Sequence, residues 1–230
     1  MLLLAFETSA KAGSVALMQE GVLLGESYQN TGLTHSQTLL SMAQRLLEHC
    51  GYTPQQVEAV AVAAGPGSFT GVRIGVAAAK GFAWGRKIPC YGTSTLESMA
   101  LNLGIYNGYI CAVMDARRNQ VYNAIFKAEQ GVLTRVTEDR AIALEELAPQ
   151  LQNLDAPIYL VGDGSRLTFG AIPGLILPPE HRMHQRAAGV ALAAKAMMDR
   201  GEPGDAATLE PNYLRLSQAE RERAEKMKKQ

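Results

Sequence analysis

The chain has 230 residues, 47% of them hydrophobic, and its 22 basic residues are balanced by 22 acidic ones. A chain of this size can bury one large core, or two cores of about 100 residues each. The even charge balance gives no general signal for polyanion binding, and it argues against a protein that binds tRNA or DNA tightly by itself.

The N-terminus and the cysteines indicate where the protein works. The first ten residues are apolar but lack a basic segment and include Glu7, so we interpret them as a first strand rather than a signal peptide. The sequence has no apolar run of about 18 residues, which predicts that no segment spans a membrane. Cys50, Cys90 and Cys111 are scattered and form no Cys-x-x-Cys pair. This pattern is typical of reduced core residues in a cytoplasmic protein.

Short apolar runs and turn residues predict alternating strands and helices in the first half of the chain. The predicted strands cover residues 2–8, 14–19, 22–28, 57–63 and 88–91. The predicted helices cover residues 34–50, 70–84 and 94–103. Capping-box spacings at Thr34–Gln37 and Ser94–Glu97 mark the starts of two of these helices.

The second half shows a similar order of elements. Its predicted strands cover residues 109–115, 120–127, 132–137 and 157–161, and its predicted helices cover residues 143–152, with an interruption at Pro149, and 185–200. An extended segment follows over residues 210–215. Because each half runs strand, hairpin, strand, helix, strand, helix, we expect two related α/β domains that face each other across a cleft. We place them at residues 1–104 and 105–216, allow for the last helix packing back on the first domain, and assign residues 217–230 to a charged tail.

Acidic side chains follow the first strand of each half, at Glu7 and Asp115. Ligands of open α/β sheets usually bind at the carboxyl ends of strands. We therefore expect a cleft site that includes Glu7, Thr8, Ser9, Asp115 and Arg117, in which Arg117 neutralises the acids and lowers their pKa.

The most unusual stretch is a glycine-rich turn at residues 65–67 and the helix after it. Gly71, Gly75, Ala78 and Ala79 fall on one face of that helix. Each interior glycine costs a helix about 0.5–1 kcal/mol relative to alanine, so another backbone must come close to this face. That backbone belongs either to the chain's own sheet or to a partner subunit.

A set of motifs spread along the chain identifies a family. They are LLLAFETSAKAGSVAL, HSQTLLSMAQRLL, GPGSFTGVRIGVAAAKG, GTSTLESMA, MDARRNQVY, GDG and PNYLR. From Leu2 to about Arg215 the chain resembles the bacterial TsaB (YeaZ) family. The resemblance implies two tandem RNase H-like domains of the actin-like ATPase superfamily, which includes sugar kinases and Hsp70. It also implies a cytoplasmic role in making threonylcarbamoyladenosine on tRNA.

In that family TsaB is the non-catalytic partner. The TsaD subunit carries the metal and transfers threonylcarbamoyl, and a TsaE ATPase also joins. The resemblance therefore implies a heterodimer with a TsaD-like subunit, a homodimer when the chain is alone, and tRNA contact only through the complex. The implied interface uses the helices at residues 35–50 and 70–84, through Leu39, Leu40, Ala43, Leu46, Leu47, Gly71, Arg73, Ile74, Gly75, Ala78 and Ala79.

The residues themselves argue against an active site. His35 has Leu39, not a second histidine, one helical turn later, so we expect no metal site there. The turns after Glu7 and Asp115 lack the glycines that let a backbone approach phosphates, and Glu7 stands where the family has Asp. We expect no catalytic residue, no metal and no cofactor. The alternative is an ATP-dependent transferase or an M22-type glycoprotease-like enzyme of the same fold.

Overall fold

The computed structural model describes residues 1–103 and 106–215, in which two five-stranded sheets are covered by helices. The predicted tail at residues 217–230 lies outside the described residues. None of the helices in the described ranges is both long enough and apolar enough to cross a lipid bilayer.

The first sheet is built from the N-terminal strands. They are β1 (Leu2–Glu7), β2 (Gly13–Gln19), β3 (Val22–Gln29), β4 (Ala59–Gly65) and β5 (Cys90–Ser94). The spatial order is β3-β2-β1-β4-β5. The first three strands are antiparallel, and β4 and β5 run parallel to β1. Helices α1 (His35–His49) and α2 (Phe69–Arg86) pack on one face of this sheet, where Leu39, Leu47 and Val76 meet the side chains of β1.

The second sheet shares the central pattern of the first. Its strands are β6 (Gly108–Asp115), β7 (Gln120–Glu129), β8 (Val132–Arg135), β9 (Arg140–Ala143) and β10 (Ile158–Val161). The order is β10-β6-β7-β8, with β9 also paired to β7. Strands β6 and β7 are antiparallel, whereas β10 is parallel to β6. Helices α4 (Leu144–Gln152) and α5 (Ser165–Ala171) follow β9 and β10, and α6 (Glu180–Met183) is a single turn. The two sheets confirm the predicted tandem RNase H-like α/β domains.

Two helices cross between the domains. Helix α3 (Thr95–Leu101) follows the first sheet in the sequence but packs its Leu96 and Met99 against the second sheet. Helix α7 (Ala187–Asp199) follows the second sheet but packs against Leu3 and Ala5 of the first. The two helices touch where Gly189 lies against the Ser98 carbonyl, with no room for a Cβ. Side chains from each predicted domain, residues 1–104 and 105–216, therefore pack into the core of the other.

Three local predictions differ from the structure. Pro149 lies inside α4 and does not interrupt it, because the carbonyl left without its donor belongs to exposed Glu145, where water can replace the lost hydrogen bond. Strand β9 and helix α5 were not predicted, since both are short and lie beside turn residues. At Thr34 the backbone carbonyl, rather than the side chain, accepts the Gln37 N–H at 3.0 Å.

Candidate functional site: the interdomain cleft and helix α2

A cavity of about 570 Å³ opens between the two sheets. It lies at the carboxyl ends of β1, β6 and β10 and beside the N-terminus of α2, which is where open α/β sheets usually hold ligands. Its lining residues are Ser9, Ala10, Lys11, Gly67, Ser68, Phe69, Thr70, Met114, Asp115, Ala116, Arg117, Tyr122 and Asp163. The structure therefore brings together the predicted residues Ser9, Asp115 and Arg117, and adds a donor-rich helix terminus.

Glu7 is fully buried beneath this region. Its Oε1 accepts a hydrogen bond of 2.6 Å from the Ser9 N–H, while its Oε2 has no partner among the described residues. Burial raises the pKa of the Glu7 carboxyl to about 7, and the negative charge of Asp163 adds to the shift, although hydrogen bonds from Ser9 oppose it. Near neutral pH this carboxyl is therefore partly protonated.

Arg117 was predicted to neutralise both acids, and this is wrong for Glu7, whose pKa is raised. The Arg117 side chain is 83% exposed and, among the described residues, its Nη1 lies 3.9 Å from Asp115 Oδ2. Arg117, Arg118 and Asn119 all have left-handed backbone conformations, with φ of 67°, 57° and 55°. Burial dominates at Glu7, so its pKa rises where a lowered value was predicted.

Asp163 is a cleft carboxylate that the predicted site did not include. It follows β10, which lies parallel to β6, so its carboxyl reaches the same end of the sheet as Asp115. Desolvation by the surrounding protein raises the pKa of Asp163, and the negative charge of Asp115 adds to the rise. The Gln185 amide opposes it by donating a hydrogen bond of 3.1 Å to Oδ1. The sequence signal was the Gly162-Asp163-Gly164 turn directly after a predicted strand.

Two polar side chains and one backbone group near the cleft form hydrogen bonds with the chain's own backbone. The Thr8 hydroxyl donates to the Gly71 carbonyl at 2.8 Å, and the Ser9 carbonyl accepts from the Ser68 N–H at 2.7 Å. His35 Nε2 pairs with the Ala10 carbonyl at 2.8 Å. These bonds fix the turn after β1 against the starts of α1 and α2.

The glycine stripe of α2 faces its own sheet. A Cβ at Gly71 would overlap the Thr8 carbonyl oxygen, and one at Gly75 would overlap the Thr8 hydroxyl. Ala79 is also fully buried. The prediction that these residues receive another protein is corrected for all three, because Thr8, directly after β1, occupies the space beside both glycines and Ala79 lies in the core.

The other predicted interface residues separate into two groups. Leu39, Ala43, Leu46 and Leu47 are buried in the core between α1 and the first sheet. By contrast, Leu40 is 60% exposed, Arg73 is exposed, and Ile74 and Ala78 are half-buried.

The sequence reasoning missed a second small-residue stripe on α2. Among residues 1–103 and 106–215, no neighbouring atom outside the local helix backbone lies within 4 Å of where a Cβ would stand on Gly81 or Gly85. Trp84, between them, is 63% exposed. The spacing of Gly81 and Gly85 by one helical turn was the signal that could have identified this face.

A C-terminal strap, residues 207–215, starts in a turn and runs along α2 to the cleft. Lys80 Nζ donates to the Leu209 carbonyl at 2.8 Å, and the Asn212 N–H donates to the Ala64 carbonyl at 2.7 Å. Further along, Arg215 Nη1 donates to the carbonyl of Ala116 at 2.5 Å. The strap therefore fastens α2 to the wall of the cleft formed by the second sheet.

Comparisons with known proteins agree with this architecture. The family model described as "TsaD: tRNA N6-adenosine threonylcarbamoyltransferase" matches residues 29–168. The tRNA threonylcarbamoyladenosine biosynthesis protein TsaB of Bacillus subtilis is 32% identical over 225 residues, which cover 96% of each chain. TsaB of Escherichia coli is 32% identical over 220 residues, covering 94% of this chain and 95% of the relative. The structure of YeaZ from Pseudomonas aeruginosa has a TM-score of 0.81 at 29% identity, covering 93% of this chain and 99% of that one. The chain thus belongs to the TsaB (YeaZ) family.

Proposed function

We propose that this chain is a non-catalytic subunit of the tRNA threonylcarbamoyladenosine modification complex, in which it binds and activates a TsaD-like transferase. Two observations support the setting. The curated relatives are named as biosynthesis proteins for this modification, and the transferase family model covers residues 29–168 of the chain. A partner of the same fold would make the heterodimer pseudo-symmetric.

The observation that carries the proposal is the open glycine pair of α2. Gly71 and Gly75 are explained by close packing against Thr8, but nothing in the described chain uses the space beside Gly81 and Gly85. Each of these glycines costs the helix about 0.5–1 kcal/mol relative to alanine. A second backbone approaching from outside would use that space.

Exposed apolar side chains stand near these glycines on α2, and Leu40 of α1 is also exposed. We define the docking face as Leu40 of α1 together with Ala77, Ala78, Gly81, Trp84 and Gly85 of α2. Burying the Leu40 side chain alone would contribute roughly 1.5–3 kcal/mol, before the cost of association. We propose that a TsaD-like subunit occupies this face in the complex, that a second copy occupies it when the chain is alone, and that a TsaE-like ATPase joins the pair.

The non-catalytic role is supported by what the cleft side chains do. Thr8 and His35 form hydrogen bonds to the chain's own carbonyls, and Glu7 accepts from its own backbone. The observation that favours the alternative, an enzyme of the same fold, is the Glu7 pKa of about 7, since perturbed acids cluster at active sites. Glu7 is fully buried and does not line the cavity, so we favour the structural role.

The test is threonylcarbamoylation of tRNA in a reconstituted system, with and without this chain. We expect activity only when both the chain and its TsaD-like partner are present. Gly81→Leu should abolish stimulation and co-purification with the partner. Gly170→Leu is the matched control, because Gly170 is also an open glycine in a helix, but in α5. Modification by the chain without its partner would establish the enzyme instead.

A further inference from the structure

Basic side chains from four distant segments line the cleft or contact residues that line it. Lys11 follows β1 and Arg117 follows β6, and both line the cavity. Arg73 of α2 lies beside Phe69, another lining residue, and Arg215 of the strap bonds to Ala116. In a protein with balanced charge, this local grouping is a feature of the fold and not of the composition.

An ordered aromatic pair lies beside these cations. Tyr213 stacks on Phe69 with ring centroids 4.6 Å apart and an interplanar angle of 12°. The Arg73 guanidinium carbon lies 5.9 Å from the Phe69 centroid and 5.4 Å from that of Tyr213, and its Nε donates to the Tyr213 hydroxyl at 2.7 Å. Tyr213 remains 40% exposed, so part of this rigid pair faces solvent.

We propose that the mouth of the cleft is an RNA-contacting surface, in which Lys11 and Arg117 neutralise phosphates and the Phe69–Tyr213 pair stacks on an unpaired base. Cationic grooves with stacked aromatic rings are the usual means by which proteins bind single-stranded nucleic acid. The inference rests on the proposed function, since it assigns to this chain a share of the RNA contact made by the complex.

Asp115 and Asp163 line the same cavity as Lys11 and Arg117 and repel phosphates and carboxylates alike, so the preference for RNA rests on hydrogen bonding and stacking. Base amino groups and ribose 2′-hydroxyls are hydrogen-bond donors that these carboxylates can accept. A flat aromatic pair makes no specific contact with the carboxylates of an acidic peptide, whereas every nucleic-acid base has a flat face that can stack on it.

The position of the surface is consistent with binding through a complex. Arg73 lies on α2 between the cleft mouth and the docking face, so RNA at this rim would extend towards a partner on Gly81 and Gly85. A few phosphate contacts on a neutral protein give weak binding alone and add to the binding of a larger assembly.

The experiment measures binding of a fluorescein-labelled, unmodified tRNA transcript to the full chain paired with its TsaD-like partner, over a range of salt concentrations. The variant Lys11→Gln/Arg117→Gln removes two exposed cations and keeps side chains of similar length. Loss of two phosphate contacts should reduce the slope of log K against log salt by about 1.4 and weaken binding by roughly tenfold near 0.1 M salt. The control Lys127→Gln/Arg200→Gln removes the same charge at exposed sites elsewhere, and should leave the slope unchanged.

A second measurement tests the aromatic pair directly. Ultraviolet crosslinking of a transcript that contains 4-thiouridine, followed by mass spectrometry, should place adducts on Phe69 or Tyr213.

An unchanged slope in Lys11→Gln/Arg117→Gln, or an equal loss in the control, would overturn the inference. So would a variant that loses the protein partner while keeping RNA affinity, because the surface would then recognise an acidic protein. Co-purification in the same samples distinguishes a failure of the proposed function from a failure of this inference. If the unmodified chain does not pair with its TsaD-like partner, the proposed function fails. If it pairs but the double variant does not change the salt slope of RNA binding, only this inference fails.

Discussion

The Thr8 hydroxyl donates a hydrogen bond of 2.8 Å to the Gly71 carbonyl, and this contact sets the face that α2 turns towards the first sheet. Because β1 ends against α2 here, Gly71 and Gly75 have no room for a side chain. The other face of the same helix, at Gly81 and Gly85, is left open.

The two glycine pairs of α2 should therefore respond differently to substitution. Gly75→Leu would place a side chain into Thr8 and Val62, and overpacking of this kind costs about 1–3 kcal/mol or more. A Cβ at Gly81 has no described neighbour within 4 Å, so Gly81→Leu should leave the unfolding temperature unchanged or slightly higher, since leucine favours helix. Thermal unfolding followed by circular dichroism measures both, and equal melting temperatures would contradict the assignment of the inner face.

Neighbouring leucines of α1 make a second matched pair. Leu39 is 2% exposed and Leu40 is 60% exposed. Leu39→Arg should unfold the chain, because it buries a charge without a partner. Leu40→Arg should fold normally but fail to co-purify with a tagged TsaD-like partner. Undiminished pairing of the Leu40 variant would remove α1 from the docking face.

The stability of the chain should depend on the protonation of Glu7. Its folded pKa of about 7 lies above the ordinary value of 4.5, so the folded state holds the proton more tightly than the unfolded state does. The contribution to the unfolding free energy is complete below about pH 4.5 and is lost as pH rises through 7, with a total on the order of 3 kcal/mol.

Glu7→Gln should flatten this dependence, because the amide keeps the oxygen that accepts from the Ser9 N–H and cannot ionise. Urea unfolding at pH 5 and pH 8 measures the difference. The control is Glu48→Gln, at an exposed position of α1. The same pH slope in Glu7→Gln and the unmodified chain would show that another group is responsible.

An ion-pair cluster joins the two domains at Arg135. Its guanidinium contacts Asp139 at 2.6 Å and Glu97 at 3.0 Å and lies 4.8 Å from the Phe126 ring centroid. Arg135→Ala should cost about 2 kcal/mol or more, because it leaves Asp139, only 11% exposed, without its cation. Lys195→Ala breaks the exposed pair with Asp199 and should cost less than about 1 kcal/mol. Similar costs in urea unfolding would contradict the proposed importance of the cluster.

The sequence by itself determined the elements and the family. Hydrophobic periodicity located the main strands and helices to within a few residues, since burial on one face imposes that period locally. The sequence placed Leu39, Leu46 and Leu47 on one apolar face of α1 but assigned that face to a partner, whereas the structure buries it in the core. The motif set assigned the TsaB family, and the relatives over nearly the whole chain confirm it.

The tertiary structure alone decided what each face meets. Sequence spacing shows that Gly71 and Gly75 share a face, but only the end of β1 makes that face internal and leaves Gly81 and Gly85 outside. The crossing of α3 and α7 between sheets, and the gathering of Lys11, Arg73, Arg117 and Arg215 in the cleft lining or beside it, depend on contacts between segments far apart in the chain. Local sequence patterns do not predict such contacts, because the contacts form only when the two sheets pack together.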